Sequence, residues 1–258
     1  MAGMPIWYEL ATPDVEAAKR FYGDIVGWTT SEYSPPGAPQ PYTIWNTSDG
    51  NGVGGAMTPP ADAQLATGWY AYFHVEDVDA KARDVEAAGG KILMPPMDLP
   101  TVGRIVLVAD AQGIVSYLMR PDPAMDGFEN TSFSETLPQR CSWNELVTKD
   151  HKAALPFYGD LLGWVSNEAM PMGPMGDYSF VDVDGVRIGA MMDAQDANQP
   201  LKWTFYFAIP DVDAAVEQIK AGGGSVIMGP MEVPGGQRII VAVDPQGASV
   251  GFVSGDGK

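Results

Sequence analysis

The sequence predicts an α+β fold: four βαβββ units arranged as two tandem halves. Three observations carry that prediction. The stretch WYELATPDVEAAKRFYGDIVGW at 7–28 returns as WNELVTKDHKAALPFYGDLLGW at 143–164. Further echoes follow in the same order: GAM at 55–57 and 189–191, VEDVDA at 75–80 and IPDVDA at 209–214, MPPMDLP at 94–100 and MGPMEVP at 228–234, DAQG at 110–113 and DPQG at 244–247. Each half also alternates short strand-like runs with two helical ones, the pattern of sheets with segregated helices. A repeat this long marks a duplicated domain. The halves are expected at 1–120 and 139–258, each near the usual domain size, with 121–138 as a linker. The connecting stretch RPDPAMDGFENTSFSETLPQ is polar and carries three prolines.

Each element has its own signal. IWYELAT reads as a strand. Asp14 is placed to cap a helix whose Ala18, Phe21, Tyr22 and Ile25 share one face, and Gly27 ends it. Strand-like segments follow at YTIWN and VGGAM, broken by SDGNG, and GWYAYFHV opens the next unit. DVDAKARDVEAAGG reads as a helix with an acidic start and Gly89 and Gly90 at its end. KILM, RIVLVAD and IVSYLM are strands, the last two joined at the DAQG turn.

Composition removes several function classes. Formal net charge is −18, from 33 acids against 15 bases, and such a field repels nucleic acid and anionic membranes. No apolar run approaches the ~20 residues of a membrane span, and no basic-then-apolar leader opens the chain. The lone cysteine, Cys141, forms no internal disulfide, which fits a cytoplasmic location. No His adjoins Cys141, so a catalytic thiol is not expected there.

A βαβββ unit with D-x-x-x-A-x-x-F-Y-x-x-x-x-G-W after its first strand resembles the vicinal oxygen chelate superfamily of glyoxalase I, bleomycin-resistance proteins and extradiol dioxygenases. The resemblance covers both halves, and the W-x-E-L openings look most like the two-domain 27-kDa-antigen or hydroxylase-like subgroup. It implies tandem glyoxalase-like domains whose paired units form cups. In that superfamily His, Gln or Glu on opening and closing strands hold a metal. Here those positions fall on Trp7 and Trp143, near Met57 and Met191, on Tyr70 and Thr204, and on Tyr117 and Gly251. None is His, Asp or Glu, so no metal and no cofactor are expected at the family position. The chain has two histidines, His74 and His151, the second expected in a surface first turn. They do not make the two-imidazole site of non-haem iron.

Residues two apart on a strand share a face, so Glu9 lies with Trp7 and Glu145 with Trp143. Tyr70, Tyr72 and His74 share a face by the same rule, as do Thr204 and Tyr206. Such a cup is apolar with sparse polar anchors, the usual character of a small-molecule pocket. Architectural readings compete at each position. The two tryptophans suit a core, His74 a structural place, and the glutamates a bond to backbone groups or to Arg104 or Arg238. FYGD reads as helix packing, D-x-Q-G as hairpin chemistry, and the Pro-Met segments as loops or lids.

Three functions follow. The first is a protein that binds a small apolar or aromatic metabolite without a metal. The second is a metal-independent lyase or isomerase using Glu9 or Glu145 as general acid or base with a Tyr partner. The third, a glyoxalase or dioxygenase with displaced ligands, needs Glu9, His74 and Glu145 to converge. The expected partner is a small molecule, in a monomer whose halves form a pseudo-dimer or in a homodimer. If cups form between halves, one joins Trp7 and Met57 with Thr204 and Gly251, where small residues leave room. The other then joins Trp143 and Met191 with Tyr70 and Tyr117.

Overall fold

The computed structural model describes residues 2–34, 41–60, 63, 65–125 and 129–255. The first half runs β1 (Pro5–Ala11), α1 (Val15–Val26), β2 (Thr29–Tyr33), β3 (Tyr42–Asn46), β4 (Gly52–Met57), then β5 (Gly68–His74), α2 (Val78–Ala87), β6 (Lys91–Leu99), β7 (Gly103–Ala109) and β8 (Val115–Pro121). The second half runs β9 (Cys141–Thr148), α3 (His151–Leu162), β10 (Ala169–Pro171), β11 (Asp177–Val183), β12 (Val186–Asp193), then β13 (Lys202–Ala208), α4 (Val212–Ala221), β14 (Ser225–Glu232), β15 (Arg238–Val243) and β16 (Ser249–Ser254). The four βαβββ units are present. Each half forms one eight-stranded sheet, ordered β2-β3-β4-β1-β5-β8-β7-β6 and β10-β11-β12-β9-β13-β16-β15-β14.

The helix ends obey their sequence signals. Asp14, Asp77, Asp150 and Asp211 each accept a backbone N–H of the first turn. Gly27 and Gly163 end α1 and α3 with φ of 79° and 73°, which side-chain-bearing residues rarely adopt. β2 carries no apolar alternation, because it is exposed along nearly its whole length at a sheet edge. The Pro-Met segments are strands rather than loops: they complete β6 and β14, each interrupted by two register shifts against its neighbour. Both are edge strands, where proline costs no ladder bond.

By compactness the chain divides differently from its repeat. One unit comprises Met1–Ile6, Tyr70–Asn130 and Asn144–Trp203; the other comprises Trp7–Trp69, Thr131–Trp143 and Thr204–Lys258. Each unit thus contains one βαβββ module from each half.

In the second of these units Tyr22 of FYGD donates to Asp244 of DPQG at 3.0 Å and accepts from Trp69 Nε1 at 2.9 Å. Its ring lies among Trp28, Trp45 and Trp69, and Tyr8 meets Phe205 and Phe207 edge-on. In the other unit Tyr158 donates to Asp110 of DAQG at 3.0 Å and stacks on Trp164. The hairpin aspartates also accept backbone N–H groups of their own turns: Gln112 and Ile114 for Asp110, Gln246 and Ala248 for Asp244. FYGD and D-x-Q-G are therefore architecture, and they lock one half's helix to the other half's hairpin.

Part of the expected linker is packed. Ser132 and Phe133 are buried, and just past the linker Gln139 accepts Trp28 Nε1 on its carbonyl while its side-chain amide donates to the carbonyls of Val26 and Gly27. Residues 126–128 of that linker lie outside the described residues. No helix among the described residues is long and apolar enough to cross a membrane.

Candidate functional site

β4 lies between β1 and β3, with Glu9 opposite Gly55 on one side and Ile44 opposite Gly55 on the other. Trp7, Glu9, Tyr42, Ile44 and Met57 therefore share one face, while Tyr8 and Trp45 project into the aromatic core on the other. Across this face runs a hydrogen-bonded chain. Trp7 Nε1 donates to the Tyr42 hydroxyl at 2.8 Å, and that hydroxyl donates to Glu9 Oε2 at 2.9 Å. Tyr42 reaches Glu9 by crossing β4 over Gly55, where a Cβ would run into the tyrosine ring and hydroxyl. Glu9 is only 2% exposed, whereas Trp7, Tyr42, Ile44 and Met57 are half-buried.

The second half repeats the arrangement. Tyr178 donates to Glu145 Oε2 at 2.8 Å, crossing β12 at Ala190. The sequence spacing is the same in both pairs, 33 residues. Differences surround it. Glu145 is half-buried, and Arg187 sits over the Phe180 ring at 4.3 Å from its centroid, bonded to Asp182 and Glu168. The tyrosines were not singled out from sequence, although a Trp-x-Glu followed by Tyr at one fixed interval in both halves was legible. Arg104 and Arg238, expected as partners of the glutamates, instead bind Asp79 with Asp98, and Asp213.

The repeat alignment also slips by one residue. Gly54 packs its α-carbon onto the Tyr8 carbonyl and Gly189 onto that of Asn144. Tyr8 and Asn144 are equivalent, so Met192 rather than Met191 matches Met57. Met191 is fully buried opposite Leu146, on the far face from Glu145.

The remaining candidates form two packed groups. Tyr72 and Tyr117 are register partners on β5 and β8, and their rings stack at 4.1 Å with 9° between planes. Tyr70 and His74 flank Tyr72 on the same face and are half-buried, with His74 3.9 Å from Glu76. On β13, Tyr206 is the register partner of Gly251, and its ring fills the space a side chain there would take. Trp143, Ala208 and Ile239 pack against the cluster of Tyr206, Val241 and Val253. Gly251 therefore leaves no room, contrary to the sequence expectation, and Thr204 is buried. Nor do Trp7 and Met57 join Thr204 and Gly251: Tyr8 meets Phe205 and Phe207, so within that unit the two sets project from opposite sides of the aromatic core.

His151 is not on the surface. It is 2% exposed, and both its backbone N–H and its Nδ1 lie on Asp193 Oδ1, at 2.7 and 2.8 Å. Cys141 is buried, and burial pushes its thiol up to about 12, so it stays an inert thiol.

The donor set does not fit the metal that the fold family implies. Glu9 stands among indole, phenol and thioether groups, and among the described residues no three His, Cys, Asp or Glu side chains converge. Glu9, His74 and Glu145 form no such group.

The glyoxalase/bleomycin resistance protein/dioxygenase superfamily model matches residues 6–116 and 140–252. The chain is 32% identical over 248 residues to CFP32 of Mycobacterium bovis, whose name carries the term glyoxylase, covering 95% of this chain and 92% of that one. It is 34% identical over 267 residues to the anthracycline biosynthesis protein DauV of Streptomyces sp. strain C5, covering 97% and 93%. Among solved structures, the 2,3-dioxygenase LapB of Pseudomonas sp. KL28 superposes with a TM-score of 0.67 at 16% identity over 99% of this chain and 94% of that one, a likeness of fold. The duplicated βαβββ architecture and these matches together place the chain in the glyoxalase/bleomycin resistance protein/dioxygenase superfamily.

Proposed function

We propose that the protein binds a small, largely apolar or aromatic metabolite against the Trp7–Met57 face of its first half, without a metal. The Trp7–Tyr42–Glu9 chain carries this reading. It places one buried carboxylate, held by an oriented phenol, within an otherwise apolar and half-buried surface, which is how small-molecule sites combine area with a few polar anchors. Trp7, Ile44 and Met57 supply the apolar contact, and Met adapts to irregular shapes. Relatives named for a glyoxylase and for anthracycline biosynthesis support a role in small-molecule metabolism. The second-half counterpart, Glu145 with Tyr178 and Met192, is a second candidate face.

The same geometry supports a catalytic reading. Glu9, with Tyr42 donating to it, is placed to take a proton from a bound hydroxyl or an acidic C–H beside a carbonyl, and to return it. A screen of aromatic metabolites and aldehydes by thermal shift, followed by turnover assays, separates binding from catalysis. Binding that survives Glu9→Gln with turnover abolished makes the protein an enzyme. Binding with no turnover of any ligand in the wild type supports sequestration. Stoichiometric nickel, zinc or iron in protein purified without added metal would overturn the metal-free reading.

A further inference from the structure

We propose that Lys202 is a reactive amine that captures a small aldehyde as an imine. The proposal concerns the second half. It goes beyond noncovalent binding at the first-half face and does not depend on it. Lys202 opens β13 and is half-buried. Among the described residues no carboxylate pairs with its amine; burial alone acts on it, and lowers its pKa from the ordinary lysine value. The other described lysines are placed differently. Lys19, Lys81, Lys152 and Lys220 are ion-paired with Glu16, Asp84, Asp177 and Glu217, while Lys91 and Lys149 are exposed.

The fold does not require a lysine at this place. GWYAYFH of β5 and KWTFYFA of β13 are equivalent in the repeat, so the first half builds the same strand with Gly68 there. An ammonium drawn from water without a counter-charge costs stability, which favours the neutral amine. Strand parity sets its direction. Trp203 is buried against Tyr158 of α3 and against Trp164, so Lys202 projects from the side of the sheet away from α3. Glu145 and Tyr178 project from that side too, because α3 packs on β12 and the buried Leu146 and Met191 take the α3 side. The amine therefore belongs to the face already singled out in the second half.

A neutral lysine amine is a nucleophile toward a carbonyl carbon. Its lone pair forms the C–N bond as the carbonyl π pair moves to oxygen, and one N–H proton passes to that oxygen. The C–O bond of this carbinolamine then breaks, and water leaves with the second N–H proton, giving the imine. No oxidant or reductant takes part. An aldehyde suits a half-buried amine better than a ketone, since one side of its carbonyl carbon carries only hydrogen.

The test treats the full chain at neutral pH with limiting acetaldehyde and cyanoborohydride, which fixes each imine as an ethylamine. Peptide mass spectrometry then reads the occupancy of every lysine. Lys202 is expected to be labelled about tenfold faster than Lys149 and Lys91. The preference should vanish in urea. Lys202→Arg, which keeps a cation and removes the nucleophile, should lose this label and leave that of the other lysines unchanged. Labelling of Lys202 no faster than that of the exposed lysines would overturn the proposal, as would a preference that persists in urea. The wild-type pattern decides even if Lys202→Arg does not fold.

Discussion

A glycine decides whether Tyr42 can meet Glu9. The two side chains start on β3 and β1, with β4 between them, and the phenol crosses at Gly55. Gly55→Ala sets a methyl group where the ring lies. Affinity for aromatic ligands is expected to fall about tenfold while the circular dichroism spectrum stays native, since Gly55 itself is in ordinary extended backbone. Tyr42→Phe removes the donor to a buried carboxylate. It should cost about 1–3 kcal/mol in urea unfolding and lower ligand affinity by a similar factor. Glu9 was legible in the sequence because it shares strand parity with Trp7. Tyr42 was not, because strand periodicity reports a face and not which side chain reaches over its neighbour.

At the scale of elements, the helix α1–hairpin and helix α3–hairpin locks make stability depend on pH. Burial raises the carboxyls of Asp110 and Asp244, outweighing the hydrogen bonds that Ile114 and Tyr158, and Ala248 and Tyr22, donate to them. A raised folded-state pKa means that the folded chain holds these protons more tightly. Their contribution is fully present below the unfolded-state pKa and is lost as pH rises through the folded-state value. Asp193 behaves in the opposite way. Burial pushes it up, but the backbone and ring nitrogens of His151 outweigh that and hold it low. Its contribution is present above the unfolded-state pKa and is lost as pH falls through the folded-state value. Asp110→Asn is accordingly expected to flatten the decline of Tm with rising pH just above about pH 4, whereas Asp193→Asn should be most destabilising near neutrality and nearly silent in acid. Thermal melts across that range check both signs. Helices, caps and most strands were readable from local pattern; β2 and the Pro-rich ends of β6 and β14 were not, because edge strands lack the one-sided burial that writes alternation into sequence.

At the scale of the molecule, each compact unit draws one module from each half, so covalent continuity through the linker is not what joins the halves. A protease site inserted among the exposed residues 135–137 should yield two fragments that still co-elute on gel filtration under native conditions. They should separate only in denaturant. Separation in native buffer would contradict the crosswise pairing of Tyr22 with Asp244 and Tyr158 with Asp110.

The chain's own pattern was enough for the duplication, the four βαβββ units and the family. Those properties are written locally, in turn chemistry, capping and repeated spacing. Folding alone decided which repeated motifs meet, that Tyr206 fills the space above Gly251, that Met192 displaces Met191 from the face, and that Tyr42 and Tyr178 complete the glutamates. Each depends on strand register and on contacts between distant segments. A single-residue shift in pairing turns a side chain to the opposite face, and nothing in the local sequence records that shift.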